Sequence, residues 1–387
     1  MKITEVKSKE DESDFFLVPR VVYKDDLNWI PHIKQDIQKI FNPLKNKLFK
    51  NGDATRWVLY DDTGNTVGRI AAFINPKTKL KSDQPTGGVG FFDSIENKDF
   101  AFALLDTAKK WLQERDIEAM DGPINFGEKN QFWGLLVKNF TDNPSYGMNY
   151  NPHYYQKYFE EYGFQTYYEQ YVFKRDIYLR PQPIFYRKYN QMIKDPEFEI
   201  TDVRGKSTKQ IAHDFRIVLN GAWLGHADHK EMTEDAALKI AKSLKPIMDK
   251  RIIIFIYHKK IPVAFYVNIP ELNEIFKHVN GNLNLWGKLK FLYHIKKGTP
   301  KTMVGIVFGV VKEWQGKGLE GGLIAWFGEN VVPLKRYDSI ILTWIGDFNP
   351  KMIMVSERLG AEVDRTFITY RYLFDRTKPF KRYPIVE

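Results

Sequence analysis

The chain of 387 residues has no cysteine. Disulfides, thiolate metal sites and thiol nucleophiles are therefore excluded. It also lacks any apolar run long enough to span a bilayer. Residues 1–10 are charged and contain no apolar stretch of the kind a secretory signal needs, so a cytoplasmic protein is expected. Histidine is scarce, with eight residues. His226 and His229 stand three apart with Asp228 between them, but the sequence places no further ligand beside them, and no metal is expected. Acidic charge is in the minority, 48 Asp and Glu against 58 Lys and Arg, for a formal net charge of +10.

What the chain does have is apolar and aromatic mass. Hydrophobic residues make up 43% and aromatics 15%, enough for substantial cores in two domains of ordinary size. The basic balance fits three kinds of partner: nucleic acid, an anionic membrane surface or an anionic cofactor. Lysine and arginine cluster at 45–50, 288–301 and 376–382. The middle cluster is interleaved with Phe291, Leu292, Tyr293 and Ile295. That composition suits peripheral membrane contact better than a specific nucleic-acid site, and it also fits an ordinary surface helix with one buried face.

The most informative stretch is 304–323. An apolar, β-branched run at 304–311 predicts a buried strand. Gln315, Gly316, Lys317 and Gly318 then form a glycine-rich turn, and Leu323, Ile324 and Phe327 begin a helical period. A strand that passes through glycines into a helix start gathers unpaired N–H groups and the positive helix end at one point. This is a diphosphate cradle, with the backbone of Gln315, Gly316, Lys317, Gly318 and Leu319 as its donors.

One order of elements occurs twice. In the first half a short strand is predicted within 14–23, helices within 25–50, a hairpin at 55–60 and 66–74, a strand at 88–93, a helix at 100–114 and a strand at 119–124. In the second half a strand is predicted at 199–203, helices within 207–250, a hairpin at 252–257 and 262–268, then the glycine-turn unit and a strand at 339–345. Each half ends alike. Asn151-Pro152 precedes Gly163, and Asn349-Pro350 precedes Gly360, as cap, first helical position and helix stop. An aromatic strand follows each, at 167–173 and 367–374. The repeat indicates duplication, with modules at 1–180 and 199–387 and a proline-interrupted linker at 181–198.

Strand, glycine turn, helix, strand, Asn-capped helix and aromatic strand in this order resemble the GCN5-related N-acetyltransferase (GNAT) superfamily. The resemblance implies an α/β fold with a mixed sheet that splays between its fourth and fifth strands to admit acyl-CoA. The family signature is Gln or Arg, two residues, Gly, one residue, then Gly or Ala. Gln315 and Gly318 match it, whereas Glu320 departs from it. Trp223, Glu231, the run 269–274, Asn280-Gly281 and residues 342–345 before Asn349 resemble a bacterial branch with tandem modules, some of whose members are linked to acylation of long-chain amines such as sphingoid bases. The first module has acidic 93–99 in place of the glycine turn, and is expected to be degenerate, to bind no CoA and to shape the acceptor pocket.

The resemblance implies an N-acyltransferase with acetyl-CoA or a longer acyl-CoA as co-substrate and a small-molecule or lipid amine as acceptor. The Val310 or Val311 N–H would meet the acyl carbonyl, and Asn349 the pantetheine arm, beside its capping role. The Tyr that many relatives place four residues before the closing glycine is absent, since Ser356 and Phe159 stand there, and Tyr370 or Tyr372 is the substitute. Glu271, Glu231, His226 and His229 are candidate bases, and Asp347 a candidate to orient the amine. Two other classes fit the same fold: a non-catalytic binding protein, and an aminoacyl-tRNA-dependent transferase of the peptidoglycan-bridge type.

Overall fold

A computed structural model describes residues 1–79, 84–223 and 231–386. The first half contains β1 (Lys2–Glu5), α1 (Lys9–Val22), α2 (Lys34–Ile40), β2 (Asp53–Tyr60), β3 (Thr66–Ile74), β4 (Thr86–Ser94), α3 (Lys98–Gln113), β5 (Ala119–Gly122), β6 (Leu135–Lys138), α4 (Tyr154–Tyr162) and β7 (Gln165–Asp176). After α5 (Pro183–Met192) come β8 (Phe198–Asp202), α6 (Thr208–Ala222), α7 (Glu234–Leu244), β9 (Ile253–His258), β10 (Ile261–Pro270), α8 (Asn273–Phe276) and α9 (Leu285–Lys297). The chain ends with β11 (Thr302–Val310), α10 (Leu319–Asn330), β12 (Ser339–Gly346), α11 (Pro350–Arg358) and β13 (Glu362–Leu373).

Most predicted elements are present, and the differences have local causes. The strand expected within 14–23 is helix α1. The Ser8 hydroxyl accepts from Asp11 N–H at 3.0 Å, and the Asp11 carboxylate accepts from Ser8 N–H at 2.8 Å. This reciprocal cap starts a helix whose Phe15 and Val18 then share the buried face. The linker at 181–198 is largely helical. Pro183 occupies its first turn, and Phe185, Tyr189 and Met192 recur at helical spacing. The two Asn-Pro pairs also differ. Asn349 caps α11 by accepting from Met352 N–H at 3.2 Å. Asn151 instead brackets β6, accepting from Leu136 N–H at 2.8 Å and donating to Leu136 O at 3.1 Å.

The strands form one sheet in the order β1-β2-β3-β4-β5-β13-β7-β12-β11-β10-β9-β8, with β6 added on β13. The last strand of the second half lies between β5 and β7 of the first, and β7 pairs in turn with β12. The two halves thus exchange their closing strands, and a boundary at 180–199 divides the sequence but not the sheet. The consequence for the core is direct: Ile368, Tyr370 and Tyr372 from β13 are buried among the first half's Leu104, Tyr155 and Phe159. Each half keeps one parallel pair, β4 with β5 and β11 with β12. Three antiparallel steps separate β5 from β12, so the two parallel pairs run in opposite directions.

Candidate functional site

The β11–β12 ladder holds from Thr302↔Ser339 to Gly305↔Leu342 and then ends, while β11 continues to Val310 beside β10. The strands fork there, and the crevice opens at their carboxyl ends. Val311 N–H donates to Val263 O at 2.9 Å. Its expected contact with an acyl carbonyl is therefore corrected: the sheet already uses that donor. Alternation along an antiparallel ladder turns the Val310 N–H the other way, into the fork.

At the end of β11 the chain enters the glycine turn. Gly316 and Gly318 have φ of 72° and 92°, a left-handed backbone that disfavours other residues. The Gln315 side chain donates back to Val310 O at 3.0 Å, so the first residue of the signature holds the turn closed. Gln315 and Lys317 N–H make long turn bonds, each 3.3 Å, to Lys312 O and Trp314 O. The N–H groups of Gly316, Gly318 and Leu319 have no partner among the described residues, and no side chain caps α10, Glu320 included. These donors lie at the positive end of a helix, a setting that fits the diphosphate of a CoA thioester.

Helix α5 lies against this turn. A Cβ on Gly318 would come within 2.7 Å of Lys188 Cδ, and one on Gly321 within 3.3 Å of Lys188 Cβ. The glycines therefore serve two purposes, the backbone conformation and the close approach of α5. Lys188 lays its stem along the turn, and the exposed Lys317 ammonium sits 4.7 Å from the Trp314 ring centroid. Lys188 falls in the segment whose prolines predict a linker, and the period of Phe185, Tyr189 and Met192 is the signal for its helix. On the other side of the fork, Asn349 stands beyond the carboxyl end of β12. The end of α6 covers β11, with Trp223 packed against Gly309 and Gly221 against Val311.

The remaining candidates lie elsewhere. Glu271 N–H donates to Thr302 O at 2.9 Å, which ties it to the start of β11, while the turn follows the end, roughly 26 Å away along a strand. Its carboxylate is buried and accepts from the N–H groups of Tyr146 and Asn273, each at 2.8 Å. Burial raises its pKa to about 7. Tyr370 faces Gly122 across β5 and donates to Glu160 at 2.9 Å, so strand exchange carries it into the first half. Burial, then the Glu160 carboxylate, raises its pKa. Tyr372 is on the same strand. Glu231 is exposed just before α7. His226, Asp228 and His229 fall outside the described residues. Asp347 pairs with Arg382, and burial raises its carboxyl pKa. Ser356 is buried and donates to Met352 O at 3.0 Å.

The first half has a corresponding fork but, among the described residues, no cradle. The β4–β5 ladder ends at Gly88↔Asp121. Beyond it Ser94 N–H donates to the Tyr155 hydroxyl at 2.6 Å, Ile95 N–H to Val67 O at 3.0 Å, and Asn97 caps the N–H groups of Asp99 and Phe100. The fork opens instead into a cavity of about 310 Å³, lined by Phe16, Tyr23, Trp29, Phe91 and Leu135 among others. Asp93 in its wall accepts from Tyr23 at 2.7 Å and from Arg69 at 2.7 Å. His32, also in the wall, is held neutral: burial, then Arg69, lowers its pKa to about 3. The β13–β7 pair separates this cavity from the glycine turn.

The forked sheet, duplicated and with a glycine turn in its second copy, defines a tandem GNAT fold. Solved structures agree. The chain matches a tandem GNAT protein from the clavulanic acid biosynthesis pathway with a TM-score of 0.54 and 10% identity, over 98% of this chain and 99% of that one. It also matches a GCN5-related glucosamine N-acetyltransferase region of a fungal multi-domain β-N-acetylglucosaminidase with a TM-score of 0.52 and 12% identity, over 96% of this chain and 38% of that one. Among curated proteins it is similar to Protein YghO of Escherichia coli strain K12, at 24% identity over 98% of this chain and 93% of the relative. It is likewise similar to a bacterial ceramide synthase of Caulobacter vibrioides, at 25% identity over 96% of this chain and 97% of the relative. No protein-family model matches the sequence.

Proposed function

We propose that the protein is an N-acyltransferase that moves an acyl group from a CoA thioester to the primary amine of a long-chain acceptor. The observation that carries this reading is the set of N–H groups at Gly316, Gly318 and Leu319 that have no partner among the described residues, beside the β11–β12 fork. They would hold the diphosphate, with Lys188 and Lys317 adding positive charge. The Val310 N–H, turned into the fork, would donate to the thioester carbonyl and to the oxyanion that forms there. The acceptor amine would approach past Trp223. Its nitrogen attacks the carbonyl carbon, the C–S bond breaks, and the amine's proton balances the thiolate that leaves. A lipid acceptor is supported by full-length similarity to a protein named as a ceramide synthase.

The test combines binding and turnover. CoA at a hundred times its dissociation constant should stabilise the protein by about 2.7 kcal/mol in thermal unfolding. Incubation with acyl-CoA and a sphingoid base should give the amide by mass spectrometry, with one free CoA thiol released per amide. CoA binding without turnover on any amine would point to the non-catalytic reading. Salt-sensitive binding of aminoacyl-tRNA, with no effect of CoA, would point to the tRNA-dependent one.

A further inference from the structure

Helix α9 has two apolar faces, and the fold uses one of them. Phe291 and Gly287 are buried, with Phe291 packed among Leu272, Phe276 and Val279. At about 3.6 residues per turn, Leu285, Trp286, Leu289, Leu292 and Tyr293 fall on the opposite side. There Leu285 and Trp286 are each 72% exposed, Tyr293 59%, Leu289 50% and Leu292 45%. Five large apolar side chains in one stripe are an uncovered surface, not scattered exposure.

The charges around the stripe identify what covers it. Exposed Lys288 lies along one border, Lys290 and Lys297 along the other, and Lys296 at the far end, with Lys277 and Lys301 on the flanking segments. The helix carries no acidic residue. A second copy of this chain packed face to face would set lysine against lysine. Anionic lipid would neutralise them while its acyl region receives Trp286 and the leucines. We infer that α9 docks the protein on an anionic bilayer surface, with its axis in the membrane plane. Gly281 and Asn282, at the rim of the first-half cavity, lie just before the helix, so docking brings that rim close to the lipid.

This inference does not rest on the chemistry proposed above: vesicle binding reads the surface, and acylation of a soluble amine reads the fork. The full-length protein should co-sediment with vesicles of phosphatidylglycerol and phosphatidylcholine, and only weakly with phosphatidylcholine alone. Replacing Leu285, Trp286 and Leu289 with serine should abolish co-sedimentation. The second variant, K288E/K290E, alters exposed side chains that make no ion pair among the described residues; it should weaken binding at least about five-fold for each lysine and leave thermal unfolding unchanged. The inference is overturned if the wild-type protein ignores the anionic vesicles, or if K288E/K290E binds them as tightly as wild type. It is equally overturned if the wild-type protein sediments as a dimer that the serine variant dissociates.

Discussion

At the scale of single residues, Glu271 is tied to the start of β11 and Glu320 lies in the first turn of α10, so their charges act at opposite ends of the strand. Glu271 is a buried carboxyl whose pKa is raised from 4.5 to about 7 by burial. Below about pH 4.5 it is neutral in the folded and unfolded chain alike. As pH rises from there through about 7, the unfolded chain gives up its proton first, so the folded state loses up to about 3 kcal/mol. E271Q should remove that loss. Its stability relative to wild type, read by chemical denaturation, should improve as pH goes from 4.5 to 7. Its CoA binding should not change, because Glu271 and the cradle are at opposite ends of β11. Glu320 leaves the amides free but brings negative charge to the first turn of α10. E320Q should therefore bind CoA about two- to five-fold more tightly by titration calorimetry; a loss of affinity would instead mean that Glu320 orders the turn.

At the scale of elements, the glycine turn and α5 act as one unit. A Cβ at Gly316 meets nothing within 4 Å, so G316A should cost only the strain of its left-handed backbone, about 1 kcal/mol. A Cβ at Gly321 meets Phe185 Cα at 3.4 Å as well as Lys188. G321V should overpack this contact, cost about 1–3 kcal/mol and open α5 to proteolysis. Equal protease sensitivity of the two variants would contradict the packing role. The strand–turn–helix at 302–330 was legible because each part has its own local signal: β-branched residues, glycines, then a helical period. Helix α1 was not, because its apolar run at 15–18 suits a strand equally well, and the decision lay in the Ser8–Asp11 cap outside the run. Lysines at 259 and 260 turn the β9–β10 hairpin with φ of 51° and 65°, conformations better suited to Asn or Gly, so hairpin spacing identified that turn where residue preference could not.

At the scale of the whole molecule, the sequence shows that a pattern occurs twice but not how the copies join. Alternation along a strand tells which side chains face the core; it carries no information about which strand lies alongside. For this reason Tyr370 read as a residue of the second module's site and stands in the first module's core. The exchange has a measurable consequence. Without its partner, residues 1–180 would lose β13 from between β5 and β7, and residues 181–387 would lose β7 from beside β12 and β13. Phe367, Ile368 and Tyr370, all buried in the intact chain, would then face water along an unpaired edge. The Arg371 guanidinium would leave Asp121, to which its Nε donates at 2.6 Å, and buried Thr369 would lose Gln170 at 2.9 Å. Each piece expressed alone should aggregate. Co-expressed, the two should purify as one equimolar complex that unfolds in a single transition and still binds CoA. A soluble, monomeric 181–387 piece with full CoA affinity would show instead that the second module closes its own sheet and that strand exchange is dispensable for the cradle.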